Sequence, residues 1–272
     1  EAPGLLLHVV DAKNLERMRS LTLQFLEAGL PVILVLNIMD EAQKLGITAE
    51  VKNIDFHLVM ERMRKTIPAT QDHIREGIAQ SENLDFYEDT GHFVSDYTLE
   101  VKGEQIRAEK HIFIASGSRP FIPPIKGLEQ MDYLTNESVL KLKERPVSMI
   151  IIGGGYIAVE YAHFFTAMGT QVTVLEMGDR LAAGEEPEIS ALLQKVMSRR
   201  MEVYTSTRAE EVKKSGKGYT VVTRDASGKV KEFTAESIMI AVGRKSNSDL
   251  LKPGNTGAAT DERGFIKVND YL

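Results

Sequence analysis

The chain of 272 residues contains no cysteine. Without a thiol it can form neither a disulfide framework nor a zinc-thiolate site, an iron-sulfur cluster or a redox dithiol, and it has no cysteine nucleophile. Basic residues are fewer than acidic ones, since 33 Lys and Arg stand against 39 Asp and Glu, which gives a net charge of -6. Because a nucleic-acid surface needs clustered Lys and Arg, this balance argues against a nucleic-acid partner and leaves small acidic or neutral ligands open.

Long hydrophobic runs are lacking as well. The longest, residues 30–39, is about half of what crosses a bilayer, so it predicts a buried strand and no membrane partner. The sequence shows no basic leader and no small-residue cleavage site after an apolar segment, which predicts a cytoplasmic location. In a chain without export signals, the sequon at Asn136 is expected to stay unmodified.

The residues that are present favour a folded α/β protein. Hydrophobic residues make up 43% of the chain, enough to bury a core, and the length suits about two domains. The first 50 residues predict two β-α units, with strands at 5–10 and 32–36 and helices at 14–27 and 41–45.

Two further patterns follow along the chain. Apolar residues at helical spacing predict a helix over residues 55–80, which Pro68 is expected to break at residues 66–69 because proline lacks an N–H group. Between residues 84 and 116 the period changes to two and predicts short antiparallel strands, and the apolar run 111–115 predicts a further buried strand.

Alternating strands and helices begin after residues 121–127, a proline-rich stretch that we interpret as a linker between domains. Strands are predicted at 149–152, 171–176 and 202–205, with helices at 156–168 and 188–200 between them. Such alternation indicates a parallel sheet with right-handed crossovers. The sequence beyond it predicts an antiparallel meander over 212–234 and a buried strand over 237–242.

The most informative motif is the glycine-rich turn Gly153-Gly154-Gly155 between the first of these strands and the first helix. Gly153 permits a tight strand-to-helix turn, and Gly155 lets the backbone approach a pyrophosphate at the helix N-terminus. The small residue Ala158 permits close packing of helix on strand. We interpret the motif as a dinucleotide site; the alternative is a glycine turn with a structural role only.

An acidic residue ends the second strand of this unit. Glu176 comes 18 residues after Ala158, where a carboxylate accepts hydrogen bonds from the adenosine ribose hydroxyls. It would repel a 2′-phosphate, which favours NAD over NADP. Arg180 is the counter-argument, and we interpret it as a solvated loop residue.

From about residue 51 to residue 272 the chain resembles an internal part of the pyridine nucleotide-disulfide oxidoreductases, in particular dihydrolipoyl dehydrogenase and mercuric reductase-like flavoproteins. Three motifs carry the resemblance, in the family's order: Ile114-Ala115-Ser116-Gly117-Ser118-Arg119-Pro120 at the flavin loop, Gly153 to Glu160 at the NAD loop, and Ala241-Val242-Gly243-Arg244-Lys245-Ser246-Asn247 at the return into the flavin domain. The resemblance implies a three-layer Rossmann-like NAD domain inserted in a partial FAD-type α/β domain. It also implies oxidoreductase chemistry in which a hydride passes between NAD, FAD and a disulfide.

The resemblance implies domain boundaries and a nicotinamide dinucleotide partner. The NAD-binding domain would span residues 121–242, and residues 51–120 and 243–272 would form the partial FAD domain. NAD is placed on Gly153, Gly155, Tyr156, Ile157, Glu176 and Gly243, with Ala209 as a weaker match near the adenosine.

A catalytic candidate and flavin contacts are implied in the same way. Glu160 matches a glutamate beside the nicotinamide, and a helix-interior glutamate paired with a lysine is the alternative. Ser116 and Gly117 match the flavin loop, and His92 matches a position near the adenine, although an isolated histidine is a surface residue in most proteins. No metal ligands are predicted.

The chain departs from the family pattern in four respects. It lacks the FAD-binding GxGxxG, the CxxxxC dithiol with its following lysine, the distal GD motif and the C-terminal His-Glu pair. Because disulfide exchange needs a thiolate, this chain cannot carry out the dithiol step itself. NAD is therefore the expected cofactor, and FAD is a candidate whose main binding motifs are absent.

The first 49 residues resemble something else, the G domain of the ferrous iron transporter FeoB, through residues 7–17 and 35–40. Asn37 and Asp40 match its guanine-reading NxxD, but no GxxxxGK[ST] occurs in the chain, which disfavours a GTP-binding switch. We hypothesise that residues 1–50 form a β-α-β unit that completes the sheet of the partial flavin domain.

Three interpretations of function remain. The first is an NAD(H)-binding protein of flavoprotein disulfide reductase descent, which if active would be an NAD(P)H-dependent flavin oxidoreductase without disulfide chemistry. The second is a module that holds NAD(H) without turnover. The third is an inert chimeric fragment, suggested by the join of two resemblances near residue 50. The sequence leaves the substrate and the oligomeric state open.

Overall fold

The structure, a computed structural model, describes residues 53–270 together with Gly46 and Thr48. The strands and helices predicted within residues 1–45, and with them Asn37 and Asp40, lie outside the described residues. Within the part of the chain that is described, no helix is both long and apolar enough to cross a membrane.

The first described helix, α1 (Phe56–Ala79), begins at Asp55, whose side chain accepts a 2.9 Å hydrogen bond from the Leu58 N–H group. Such an N-cap satisfies a backbone donor that the first helical turn leaves free. From Lys65 onward the helix is exposed, apart from the half-buried Ile78. Its buried side chains all belong to the first half: Phe56, Val59, Met60 and Met63.

The predicted break in this helix is wrong, because α1 runs through Pro68 without interruption. Proline removes the backbone hydrogen bond to the Arg64 carbonyl group and crowds it. Residues 65–70 are exposed, so water can bond the freed carbonyl oxygen. The Thr66 hydroxyl also donates to the Arg62 carbonyl oxygen at 3.0 Å. The helix therefore continues at the cost of one backbone hydrogen bond.

A small antiparallel sheet follows, made of β1 (His92–Ser95), β2 (Thr98–Val101) and β3 (Glu104–Arg107) in that order. Lys102 and Gly103 connect β2 to β3 with φ angles of 53° and 82°. Positive φ at both central residues suits the twist of a tight hairpin. The prediction of short antiparallel strands in this region is confirmed.

The predicted strand at residues 111–115 is wrong. The segment has no regular secondary structure, and no described strand pairs with it. Half-buried residues alternate with exposed ones, and Phe113 is 92% exposed. The apolar run has the composition of a strand, but a strand also needs a neighbour that supplies the ladder hydrogen bonds. That residues 1–50 supply such a neighbour stays a prediction.

The chain next forms β4 (Ser118–Pro120) and two 3-10 turns (Leu128–Gln130 and Ser138–Lys141) before strands and helices begin to alternate. The alternating elements are β5 (Ser148–Ile152), α2 (Tyr156–Ala167), β6 (Gln171–Leu175), α3 (Pro187–Met197) and β7 (Glu202–Tyr204). The predicted β-α-β-α-β alternation is confirmed, with element ends that differ by at most three residues.

An antiparallel meander of β8 (Thr207–Ser215), β9 (Gly218–Asp225) and β10 (Val230–Ala235) follows, as predicted. The stretch interpreted as a linker joins the edge of β8, because the Lys126 N–H group donates to Glu210 and the Val212 N–H group donates to Lys126. This stretch is therefore part of the packed structure and not a free connection.

A parallel sheet forms the middle of three layers, with the strand order β11-β5-β6-β7, where β11 is Ser237–Ile240. The side chains of β5 alternate between two cores. Met149 and Ile151 pack with α1 and α2 on one face of the sheet, and Ile150 and Ile152 pack with the meander on the other. This helix-sheet-meander arrangement confirms the predicted three-layer α/β fold.

The chain finally returns to its earlier part. Strand β12 (Arg244–Ser246) pairs antiparallel with β4, and α4 (Ser248–Leu251) and a 3-10 turn (Pro253–Thr256) follow. The Asn255 side-chain amide donates to the Phe93 carbonyl oxygen of β1 at 2.8 Å. The small antiparallel sheet is thus bonded to the 3-10 turn Pro253–Thr256 and not only to its own neighbours in sequence.

Because α1 is continuous, we expect that removing Pro68 stabilises the protein. Replacing Pro68 with Ala restores the N–H group that bonds Arg64 and should raise the free energy of unfolding by about 1–3 kcal/mol. Urea unfolding monitored by circular dichroism measures this change, and Gln71→Ala, also on the exposed half, is a control expected to change it little. An unchanged or lower stability of Pro68→Ala would show that the Arg64 carbonyl gains nothing from the restored bond.

Candidate functional site

The turn that leaves β5 is fixed by a close approach of two backbones. Gly153 has a φ of 117°, and a methyl carbon added to it would lie 2.3 Å from the carbonyl oxygen of Ala241. No side chain fits at that distance, and residues other than glycine avoid that φ. The Gly153 N–H group donates to the Leu175 carbonyl oxygen at 2.8 Å. The turn is therefore locked to both neighbouring strands.

The helix that follows opens onto free space. Gly155 is the N-cap of α2, is exposed, and has no heavy atom within 4 Å of where its side chain would begin. No side chain caps the helix, so its first N–H groups are available. Ile157 is half-buried and Tyr156 is 64% exposed beside the opening. Ala158 is fully buried, as its predicted role in close packing requires.

Glu176 lies directly beside this turn, as the sequence predicts for the acid that ends β6. Its carboxylate oxygen Oε1 accepts a 2.5 Å hydrogen bond from the Gly178 N–H group. Its Cβ, Cγ and Oε2 atoms lie 2.8 Å from where a side chain on Gly154 would begin. The structure thus brings the glycine turn and the acidic residue into contact.

The loop after Glu176 folds back over the glycine turn. The Ala182 N–H group donates to the Gly154 carbonyl oxygen at 2.7 Å. Arg180 donates to the Ala183 carbonyl oxygen at 2.9 Å and so is engaged within its own loop. This contact agrees with the interpretation of Arg180 as a loop residue.

Two other residues predicted to contact NAD, Ala209 and Gly243, belong to segments whose backbone contacts this site. Ala209 is half-buried on β8, whose first residue Thr207 donates its N–H group to the Glu176 carbonyl oxygen at 2.8 Å. Gly243 is exposed and has a φ of 130°. It comes two residues after Ala241, whose carbonyl oxygen lies against Gly153. Both residues therefore belong to segments that directly contact the turn or Glu176.

Glu160 lies on α2, half-buried, and burial raises the pKa of its carboxyl group. Among the described residues no lysine or arginine forms an ion pair with it, so the alternative of a structural Glu–Lys pair finds no partner here. The neighbouring Tyr161 donates its hydroxyl to the Asn136 carbonyl oxygen at 3.2 Å, and burial raises the pKa of Tyr161 to about 12. Glu160 is thus a desolvated acid one to two turns from the helix opening.

The residues predicted to contact the flavin are only partly brought together. The Ser116 and Gly117 carbonyl oxygens accept hydrogen bonds from the side chain and backbone of Asn247, at 2.9 and 3.1 Å. His92 lies on the small antiparallel sheet, where its Nε2 atom is 3.9 Å from Oε1 of Glu100. Among the described residues, no hydrogen bond or ion pair joins His92 to the Ser116 loop.

A cluster that sequence reasoning missed holds β4 against β12. Arg119 donates to both carboxylate oxygens of Asp249, at 2.9 and 2.7 Å, and the Lys245 Nζ atom lies 3.0 Å from the same carboxylate. These two cations hold the pKa of Asp249 far below its usual range, the Arg119 hydrogen bonds having the larger effect. The residues are 130 positions apart in sequence, so no local pattern could have indicated the contact.

Sequence reasoning also missed Gly154 and Gly178 as neighbours of the Glu176 carboxylate. The sequence shows a glycine at each position. Gly154 is the variable middle residue of the GxG motif and Gly178 lies in a loop, so neither glycine indicates a binding role by itself. No group of three or more His, Asp or Glu side chains within the described ranges is placed to hold a metal ion.

Comparison with known proteins gives consistent matches. Residues 31–272 match the family described as pyridine nucleotide-disulphide oxidoreductase. The mercuric reductase of Lysinibacillus sphaericus is 30% identical over 84% of this chain and 41% of its own length. The dihydrolipoyl dehydrogenase of Bacillus subtilis (strain 168) is 31% identical over 83% of this chain and 48% of its own length.

A solved structure shares the fold as well. The HOCl-induced flavoprotein disulfide reductase RclA from Escherichia coli superposes with a TM-score of 0.73 at 25% identity, over 89% of this chain and 52% of that chain. The chain thus spans about half or less of the length of the relatives that it matches. The resemblance of residues 1–49 to a G domain stays a prediction, and the family match overlaps that segment from residue 31.

The family match covers far more than half of the chain, and relatives with two different activities align over more than four-fifths of it. The chain belongs to the pyridine nucleotide-disulphide oxidoreductases, a family that uses FAD and binds nicotinamide dinucleotides.

Proposed function

We propose that the chain binds NAD(H) at the turn between β5 and α2, as the dinucleotide-binding part of a flavoprotein disulfide reductase. One observation carries the proposal: an uncapped helix N-terminus at Gly155 opens onto free space beside the carboxylate of Glu176. A helix N-terminus attracts the anionic pyrophosphate, and a carboxylate at the end of the next strand accepts hydrogen bonds from ribose hydroxyls.

The surroundings of this turn also support NAD over NADP. Glu176 carries the charge that would repel a 2′-phosphate, and Arg180, the nearby cation, donates to the Ala183 carbonyl oxygen. Tyr156, Ile157, Ala209 and Gly243 would border the dinucleotide, because each lies on a segment that contacts the turn or Glu176. A bound nicotinamide supplies or accepts a hydride, and the residues of this chain bind and orient it.

Glu160 is proposed to lie beside the nicotinamide. A half-buried acid without an ionic partner lowers the stability of the fold, and acids in such environments are enriched at functional sites. Its position on α2, beyond the pyrophosphate-binding turn, suits a contact with the far end of an extended dinucleotide. Its proposed role is to hold a hydrogen-bonding or charged group near the reacting ring.

The domain boundaries are proposed from the way the chain enters and leaves this region. Strands β4 and β12 are antiparallel neighbours, so the chain enters at residue 120 and leaves at residue 244 side by side. An inserted domain needs such adjacent crossings. We therefore propose that residues 121–242 form the NAD-binding domain and that residues 51–120 and 243–272 belong to the flavin domain.

FAD does not fit the described residues well enough to derive a chemical step through it. Among the described α-helices, α2 alone begins at a glycine turn that directly follows a strand, so a second pyrophosphate cradle is not found there. The Ser116 and Gly117 carbonyls are already bonded to Asn247, and His92 lies on the small antiparallel sheet with its Nε2 atom 3.9 Å from Glu100. Because the chain has no cysteine, none of its own side chains can accept electrons as a disulfide.

The NAD(H) proposal predicts that a substitution at Gly155 lowers the affinity for NADH but hardly changes the stability of the fold. In Gly155→Val the first carbon of the added side chain has no neighbouring heavy atom within 4 Å, so the stability should fall by only about 1 kcal/mol, the cost of a poorer N-cap. The side chain would occupy the space of the pyrophosphate and remove charge-assisted hydrogen bonds, so NADH affinity should fall about tenfold or more. NADH fluorescence titration measures the affinity.

Gly184→Val is the matched control, because the first carbon of a side chain at Gly184 also has no neighbouring heavy atom within 4 Å. It should bind NADH as the unaltered chain does. If the unaltered chain leaves NADH fluorescence unchanged at all concentrations, or if Gly155→Val binds as tightly, the proposed site is wrong.

The poor fit of FAD predicts a colourless protein. Purified under native conditions, the chain should show no flavin absorption bands, and native mass spectrometry should show the mass of the polypeptide alone or with NAD(H). Flavin at an amount equal to the protein would contradict the fit argument and favour the oxidoreductase interpretation over a module that only binds.

The raised pKa of Glu160 predicts a pH-dependent stability difference. Its folded pKa lies above its unfolded value, so the stability it contributes is present below the unfolded pKa and is lost as the pH rises through the folded pKa. Glu160→Gln cannot ionise, so its Tm should match that of the unaltered chain in acid and exceed it at neutral pH by about 1–3 °C. Thermal unfolding across this pH range checks the difference. A Tm gap that is constant with pH would mean that Glu160 is not a desolvated acid.

A further inference from the structure

The geometry points to a slot between Gly154 and Gly178 that fixes the carboxylate of Glu176 and thereby sets the preference for NAD over NADP. This inference rests on the proposed NAD(H) site and adds two positioning residues to it. Neither glycine has a φ in the left-handed region. The requirement for glycine at these positions therefore comes from space, not from backbone conformation.

Gly154 forms one wall of the slot. A methyl carbon at this position would lie 2.8 Å from Cβ, Cγ and Oε2 of Glu176. The Cβ atom cannot swing away as the end of a flexible side chain can, because it is bonded to the backbone of Glu176. A residue larger than glycine would therefore displace the whole glutamate side chain.

Gly178 forms the other wall and supplies a donor. Its N–H group donates to Oε1 of Glu176 at 2.5 Å, a short hydrogen bond to an ionised group. A methyl carbon at Gly178 would lie 2.9 Å from the same Oε1 atom. The glycine therefore holds the carboxylate with its backbone and leaves room for it at the same time.

Both walls are bonded to neighbouring segments. The Gly154 carbonyl oxygen accepts from the Ala182 N–H group at 2.7 Å, and the Gly178 carbonyl oxygen accepts from the Ser206 N–H group at 2.6 Å. The backbone of Glu176 is held as well, since its N–H group donates to the Tyr204 carbonyl oxygen at 2.8 Å. The slot is therefore formed before any ligand arrives, which lowers the entropic cost of binding.

The slot gives the two carboxylate oxygens different roles. Oε1 is bonded to Gly178, whereas Oε2 accepts no hydrogen bond from the described residues. Oε2, beside the glycine turn, is thus the oxygen available to a ribose hydroxyl. A carboxylate that cannot turn away from this place also cannot avoid a 2′-phosphate, so fixing it strengthens the discrimination against NADP.

The test compares Gly154→Ala and Gly178→Ala with Gly184→Ala, whose added methyl group meets no atom within 4 Å. The dissociation constants of NADH and NADPH are measured by fluorescence titration. Each slot variant should lower the preference for NADH over NADPH about tenfold, the effect of losing a charge-assisted hydrogen bond. Gly184→Ala should keep the preference.

Action through Glu176 is tested by a double-mutant cycle. In a Glu176→Gln background, Gly154→Ala should change the NADH to NADPH ratio no further, because the charge that it displaces is already absent. Glu176→Asp provides a variant without an added methyl group: its carboxylate is one methylene shorter, leaves the slot, and should lose preference although the charge remains. Additive effects in the cycle, or full preference in Glu176→Asp, would overturn the slot.

A measurement without ligand separates this inference from the proposed function. The Gly178 amide proton should exchange slowly with solvent in the unaltered chain and faster in Gly154→Ala, as read by NMR, while the Tm shows that both are folded. If NADH fails to bind the unaltered chain, the proposed function is wrong. If NADH binds and the slot variants keep both the amide protection and the preference, the slot is wrong and the function stands.

Discussion

The two hydrophobic cores of this protein meet at β5, and the position of the site depends on that strand. Met149 and Ile151 fill the core beneath the helices, and Ile150 and Ile152 fill the core beneath the meander. Burial on both faces fixes the register of the strand, because a shift of one residue would exchange the two sets. The end of β5 is thereby held in place, and Gly153 follows with its backbone against that of Ala241. The position of the glycine turn is therefore fixed by the packing of the sheet.

Local patterns predicted most of this three-layer region. The alternation of strands and helices, the meander and the turn at Gly153 each follow from residues that are close in sequence, such as periodic apolar side chains and glycine between strand and helix. Glu176 could be predicted for the same reason, since the distance from Ala158 to the end of the next strand is set by one helix and one turn.

The predictions that are wrong depended on surroundings that a local pattern does not contain. The sequence predicts a break of α1 at Pro68, but whether a helix tolerates proline depends on solvent access to the freed Arg64 carbonyl. Residues 111–115 have the composition of a strand but need a neighbouring strand to become one. The contact of Gly154 with Glu176 and the pairing of Arg119 with Asp249 join distant parts of the chain, so only the folded structure reveals them.

The ion cluster at β4 and β12 has a mechanical consequence. Arg119 belongs to the strand that enters residues 121–242 and Lys245 to the strand that leaves them, yet both bond the single carboxylate of Asp249. The two crossings are therefore coupled through one anion and cannot loosen independently. A chain segment attached at two separate points resists rotation, whereas one attached at a single coupled point can turn about it. Residues 121–242 also have a second attachment, because α1 packs against Met149 and Ile151 of β5 and Arg64 donates to the Leu142 carbonyl oxygen at 2.7 Å, so their orientation is fixed at both places.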